Sequence, residues 1–321
     1  MISVLPRSSM AAAVAAFLTL SATLASASPI EDPALAGSAV FTGPTQAHST
    51  AIFINPAAMA LASRGQHFLL LAGARLSQLS IDREVVQADG TTVPGANISS
   101  NTISPAGLAA FDFGLTDKWR LGLSLHTPLA RRFPGNEEEL RYHTLGGYSY
   151  QVTGSGSASF AAHERILFGF GISLGYSAIG LDFARDTALE GGTAGVESDC
   201  DGQPCGIENP FADERYRIRA KTATLGELFS AKNLGLVGGA MVRPTKHWWL
   251  ALSLVLPPGS VSGTLDLTGD VRVDRAPRDG GGSLSGDAEI IFDNPFALYF
   301  GVRGPLTEGL ELLAHLRWRN L

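Results

Sequence analysis

An all-β chain folded as a transmembrane antiparallel β-barrel is the architecture this sequence predicts, and three observations carry it. Beyond residue 66 the chain runs in segments whose large apolar residues alternate with small or polar ones. The connections between segments are short, then long, then short again. Aromatic residues sit where short connections meet segments, as at Trp119 and Trp248. An outer-membrane barrel has tight periplasmic turns, large external loops and aromatic girdles, whereas a soluble barrel has no reason to sort its loops by length.

The N-terminus comes first. Arg7 gives a weak positive start, Ala11 to Leu24 is a largely apolar stretch, and Ala25-Ser26-Ala27 is a small-residue cleavage site. That order is a secretory signal peptide over 1–27, and the apolar run is short for crossing ~30 Å of hydrocarbon. No later stretch reaches 18 uninterrupted apolar residues. Residues 28–66 follow without alternation. They are small and polar, as in Ala36-Gly37-Ser38-Ala39, and end in Ile52-Phe53-Ile54-Asn55-Pro56-Ala57-Ala58-Met59-Ala60. At ~3.3 Å per extended residue this piece is long enough to enter a barrel lumen as a plug.

The wall follows. Nine strands are expected, over 67–80, 103–114, 119–130, 148–162, 166–184, 223–243, 247–266, 287–303 and 310–320. Their faces separate by period two. Trp119, Leu121, Leu123 and Leu125 oppose Arg120, Gly122, Ser124 and His126; Ile166, Phe168, Phe170, Ile172, Leu174 and Tyr176 oppose Leu167, Gly169, Gly171, Ser173, Gly175 and Ser177. Phe296, Leu298, Phe300 and Val302 oppose Ala297, Tyr299, Gly301 and Arg303. The large sets face lipid and the small or polar sets face the lumen. Tight turns are expected at Leu115–Lys118, Ala162–Arg165, Pro244–His247 and Pro305–Glu308, and long outer loops at 82–102, 131–147, 186–222 and 267–286. Single-chain bacterial barrels close with an even number of strands, and an open edge in lipid leaves its N–H and C=O groups unpaired. Either the count is off by one or the barrel over 67–321 is incomplete at its C-terminal end; the second is expected, so that the chain does not close by itself.

Composition sets limits. There are 24 Lys and Arg against 30 Asp and Glu, a net charge of −6, which argues against a nucleic-acid partner. Charged residues make up only 17% and glycines number 37, suiting strands that curve in lipid. Cys200 and Cys205 share a polar loop and are expected to form a local disulfide in an exported protein. No metal set, cofactor motif or nucleophile–base constellation stands out, so no catalytic residue is assigned and no enzyme is expected. Three other readings stay in view: a lipase-type outer-membrane enzyme, a general porin, and a surface adhesin barrel.

One resemblance adds to this. The Ala51-x-x-x-Asn55-Pro56-Ala57-Ala58-Met59-Ala60 run, just before the first strand, resembles the hatch motif of the FadL-type outer-membrane transporters of long-chain fatty acids and toluene-type hydrocarbons. Leu115-Thr116-Asp117-Lys118-Trp119-Arg120-Leu121-Gly122-Leu123, Thr127-Pro128-Leu129 with Phe133-Pro134-Gly135, and Asn294-Pro295 before Phe296-Ala297-Leu298 are similar to later parts of that family in the same order. The resemblance implies a 14-stranded barrel, of which nine strands are visible here, with an N-terminal hatch inside the lumen carried onto Asn55, Pro56 and Ala57. It implies passive transport of a hydrophobic small molecule in a Gram-negative outer membrane, by a monomer in contact with outer-membrane lipid and lipopolysaccharide. It also implies an apolar binding site and a kinked third strand that opens sideways.

Phe53, Ile54, Met59 and Leu61 either line that apolar site or pack the plug. Pro128 either opens strand 119–130, because proline removes a ladder N–H, or lies harmlessly above the membrane. Arg303, Arg317 and Arg319 either meet a carboxylate or pair with acids such as Glu311.

Overall fold

The computed structural model describes residues 43–319, apart from 63–64, 83, 87–90, 96, 134–140, 142–143, 188–209, 223–232, 260, 262–263 and 294. The chain divides into two units, Met1–Glu31 and Asp32–Leu321, and every described residue belongs to the second. The signal segment and the Cys200–Cys205 pair lie outside the described residues.

A short α1 (Ala51–Ile54) and a 3-10 helix (Pro56–Leu61) precede the strands. The strands are β1 (Gln66–Ile81), β2 (Glu84–Val86), β3 (Thr92–Pro94), β4 (Ile98–Gly114), β5 (Trp119–Phe133), β6 (Gly146–His163) and β7 (Ile166–Asp186). They continue with β8 (Asp213–Lys221), β9 (Leu234–Val242), β10 (Trp249–Leu256), β11 (Thr264–Asp274), β12 (Ser283–Asp293), β13 (Ala297–Thr307) and β14 (Leu310–Arg319). One antiparallel path runs β1-β4-β5-β6-β7-β9-β10-β13-β14. Each of these nine overlaps one of the nine predicted segments, while β2, β3, β8, β11 and β12 are not expected as separate strands. Among the described residues no pairing joins β1 to β14.

The long-loop expectations need correction. The 82–102 stretch holds the β2–β3 hairpin and the first residues of β4. The 186–222 stretch contains β8, and 267–286 is mostly a β11–β12 hairpin turning at Pro277–Asp279. Of 223–243, residues 223–232 lie outside the described residues and the ladder covers Leu234–Val242. The 247–266 segment is divided between β10 and β11, and 287–303 between β12 and β13. The last tight turn falls at Glu308–Gly309, because β13 runs to Thr307 with a register shift after Pro305.

The reason is visible on β7. Its lower part pairs with β9 and its upper part with β8. Its outward face changes from Phe168, Phe170, Ile172 and Leu174 to Ala178, Gly180 and Asp182. The neighbouring β8 carries Arg215, Arg217, Arg219 and Lys221 on that side, and Arg219 donates to both Asp182 carboxylate oxygens at 2.7 and 2.8 Å. These upper strands have a charged outer face, so they lack the apolar alternation that betrays a lipid-facing strand.

Aromatic residues mark two levels. At the lower level Trp119 packs on Phe160 with ring centroids 4.7 Å apart, beside the Leu115–Lys118 turn. At the upper level Tyr148, Tyr150 and Tyr176 form a row, 5.8 and 6.0 Å between successive rings. Phe160 and Tyr150 are ten residues apart on one face of β6. That is roughly 33 Å of strand, or about 25 Å along the axis of a barrel whose strands tilt ~40°. It equals the height of the apolar band that a membrane barrel presents. Between the two levels the outer face is greasy and open: Phe170 is 63% exposed, Leu123 61% and Ile172 52%.

A charge placed in that band should therefore be costly. Phe170→Arg is expected to lower unfolding stability in lipid vesicles by about 2–4 kcal/mol, measured by denaturant titration. An unchanged midpoint would show that this face does not meet lipid.

Candidate functional site

The opposite face of the wall holds the N-terminal segment Gly43–Ala62. Its helices are too short to stand alone, since isolated helices need ~12–15 residues even in good sequences, so packing must hold them. Asn55 is the internal fastener. It is fully buried, its Oδ1 accepts from the Ala57 N–H at 3.2 Å, and its Nδ2 donates to the Pro44 carbonyl at 2.6 Å. Pro56 stands at the first helical position, where a missing N–H costs nothing. Asn55-Pro56 thus caps the 3-10 helix and ties it back to the start of the segment.

The wall supplies matching hollows. A Cβ on Gly122 (β5) would come within 2.6 Å of Ile52, and one on Gly301 (β13) within 2.6 Å of Pro44. A Cβ on Gly169 (β7) would strike the Pro56–Ala57 backbone, and one on Gly239 (β9) would strike Asn55 Oδ1. These inward glycines let the segment approach to backbone distance. The carbonyls of a helix C-terminus have no intrahelical partner, and the wall provides them: Ser157 (β6) donates to the Ile52 carbonyl at 2.5 Å, and Ser253 (β10) donates to that of Ile54. At the lower end Asp112 (β4) accepts from Ser49 Oγ at 3.0 Å and pairs with the Arg120 guanidinium and with His67 at 3.0 Å.

The residues singled out in the sequence gather here. Asn55, Pro56 and Ala57 sit in the hollows just described. Phe53, Ile54 and Met59 are at most 6% exposed and belong to one apolar cluster with Leu108, Leu167, Met241 and Tyr299 of the wall, while Leu61 packs on its edge. Arg303 donates to Glu311 at 2.8 Å, and Arg317 lies over the Tyr299 ring at 5.6 Å. His126 was not singled out in the sequence, although its face was. It is 3% exposed and its ring stacks on Phe53, centroids 4.4 Å apart at 25°.

Pro128 lies at a break in the wall. The β4–β5 ladder runs from Gly114↔Arg120 to Leu108↔His126 and stops. Above it β4 continues with β1 alone, up to Ile98↔Ile81. On its other side β5 skips from His126↔Thr153 to Leu129↔Gln151, so two residues, Thr127 and Pro128, oppose one. That is a bulge. Thr127 Oγ1 accepts from the Gly107 N–H at 2.7 Å and donates to its carbonyl at 3.3 Å, closing the ladder with a side chain. Tyr150 pairs with Ala130, so the seam opens just below the upper aromatic row.

A strand wall with an apolar outer band, an inner N-terminal segment and a seam is the architecture of a membrane-type antiparallel β-barrel. The comparisons agree on the fold. The chain is similar to the crystal structure of a Pseudomonas aeruginosa FadL homologue, with a TM-score of 0.65 and 15% identity over 90% of this chain and 68% of that one. It is also similar to the Pseudomonas putida toluene transporter TodX, with a TM-score of 0.55 and 16% identity over 84% of this chain and 64% of TodX. The Ralstonia pickettii toluene transporter TbuX gives a TM-score of 0.54 and 16% identity over 84% and 66%. No protein-family profile and no curated protein matches the chain. The chain has the fold of the FadL-type outer-membrane channels and spans about two thirds of their length.

Seating of the segment depends on the hollows. Ala58, fully buried, replaced by cysteine is expected to resist an impermeant maleimide in the native wall, and to label once Gly169→Leu is added, as read by peptide mass mapping. Equal labelling in both would show that Gly169 does not seat the segment. Asn55→Ala, which removes the cap and the tie to Pro44, should cost about 1–2 kcal/mol, read as earlier proteolysis between residues 43 and 62.

Proposed function

We propose that this protein carries hydrophobic small molecules, of the fatty-acid or hydrocarbon kind, passively across a Gram-negative outer membrane. It is a channel and not an enzyme in this reading. Residues 1–27 address it to export, 28–66 form a hatch that fills the lumen at Asn55, Pro56 and Ala57, and 67–321 form barrel wall in contact with outer-membrane lipid and lipopolysaccharide, as a monomer.

The observation that carries the proposal is the seam above His126, beside the segment Gly43–Ala62 packed on the inner face of the wall. A greasy solute gains nothing from a water-filled pore. It gains from leaving sideways into hydrocarbon, at about 0.8 kcal/mol per CH₂ kept from water. Such an exit needs a place where adjacent strands are not laddered, and β4 and β5 part at Thr127–Pro128. Proline at that point keeps the ladder from re-forming, because it has no N–H to donate. Phe53, Ile54, Met59 and Leu61, the apolar residues of the segment, then lie where a greasy solute would travel. The neighbours named for toluene transport support the same direction.

The test is uptake of labelled oleate and of toluene by cells lacking their own such transporter, with and without the gene. Both or one should enter faster with it. Pro128→Val is expected to cut that uptake severalfold while leaving surface expression unchanged. Uptake equal to the empty strain would overturn the reading. Sugar-driven swelling of vesicles carrying the purified protein would instead mark a general porin.

A further inference from the structure

Beneath the inner segment the wall holds buried polar atoms without a partner among the described residues. Ser124 on β5 and Ser155 on β6 are cross-strand partners, and His126 with Thr153 forms the next inward pair above them. Ser124 is 8% exposed, Ser155 6% and His126 3%, so each is more than nine-tenths buried. Among the described residues, Ser124 Oγ, Ser155 Oγ and His126 Nδ1 have no hydrogen-bond partner. The pair below, Gly122 and Ser157, is occupied by Ile52, through side-chain contact and through the bond to its carbonyl. The ring of His126 above is covered by Phe53. The three orphan atoms therefore lie between two docking points of the segment, one strand position from the seam.

Buried polar groups are almost always partnered, and exceptions need a reason. Both hydroxyls can donate and accept, and an imidazole nitrogen does one or the other according to its tautomer. What would satisfy all three is a small group that also donates and accepts. The inward positions from 122 to 126 on β5 and from 151 to 159 on β6 hold glycine, serine, threonine, glutamine and histidine, and no Lys, Arg, Asp or Glu. An ionised head would be stranded there without a counter-charge. The surroundings are otherwise apolar, with Phe53, Ile52, Leu108 and Ala110 in the buried cluster.

We infer that Ser124, Ser155 and His126 form a binding site for the uncharged hydroxyl head of an amphiphilic solute, such as an alkanol or a phenol, whose apolar body takes the place of Phe53. This rests on the transport reading above and narrows it. The solute class is then a neutral hydroxylated hydrocarbon rather than a plain hydrocarbon or an ionised acid. A site built to hydrogen-bond a hydroxyl rejects the analogue that lacks it, because its own polar groups then stay unpaired.

The experiment compares uptake of labelled n-decane, decan-1-ol and decanoate by cells carrying the gene, each measured against the empty strain. Two variants accompany the native protein. Ser124→Ala with Ser155→Ala removes both hydroxyls, and His126→Phe keeps an aromatic ring on Phe53 while removing the nitrogen. The native channel should favour decanol over decane and over decanoate by about fivefold or more, the worth of one hydrogen bond of ~1 kcal/mol. Either variant should bring decanol to within about twofold of decane, decane itself rising because fewer polar groups then stay unpaired. Surface expression and protease resistance equal to the native protein's show that the variant wall is folded. Equal native uptake of decane and decanol, a preference for decanoate, or a decanol preference that survives both variants would overturn the inference while leaving transport intact. Uptake of none of the three above the empty strain would overturn the transport reading and this inference with it.

Discussion

Every backbone N–H and C=O inside a membrane must find a partner within the protein, since hydrocarbon offers none. That constraint organises this molecule. It explains why the chain spends itself on long antiparallel strands, why side chains alternate between greasy and small or polar, and why a break in the ladder is informative wherever it occurs. Between the two aromatic levels the β5–β6–β7 ladders run with a single interruption, at Thr127–Pro128. There the Gly107 backbone is satisfied by the Thr127 hydroxyl, a local repair that lets β4 and β5 separate without leaving that peptide unpaired.

The inner segment obeys the same accounting. Its two helical turns bury carbonyls that cannot reach water, and Ser157 and Ser253 meet them from the wall. Glycines at 122, 169, 239 and 301 clear the space, so that a few hydrogen bonds and one apolar cluster suffice to seat some twenty residues. Ser124, Ser155 and His126 add a second, polar tension at the same place, since burial of the segment covers them without pairing them.

The sequence was legible where lipid imposes its pattern. Each strand of the main path overlaps a predicted segment, most closely β1, β4, β5, β6, β7 and β14, because a lipid-facing strand must show large apolar side chains at every second position. It was opaque above the upper tyrosines. There β8 shows Arg215, Arg217 and Arg219 outward, so the same alternation is written in charge and resembles a loop. The segment around Asn55-Pro56 was visible as a capped turn before the first strand, and inward glycines at 122, 169 and 301 were visible as small residues opposite leucines and phenylalanines. Their role as hollows was not, since it depends on which residue of the segment each one faces. Pro128 announced a ladder fault. His126 carried no local signal beyond its face, because its meaning comes from Phe53, distant in sequence and adjacent in space.

The central claim is that the wall turns one set of side chains to lipid and the alternate set to an interior that the segment occupies. Spin labels placed one at a time from Tyr150 to Phe160 on β6, in lipid bilayers, test it most directly. Accessibility to oxygen is expected to peak at 152, 154, 156 and 158 and to collapse at 151, 153, 155 and 157, with a water-soluble nickel chelate reaching neither set at the level of Ser157. Uniform accessibility, or chelate contact at 154 and 156, would contradict the account.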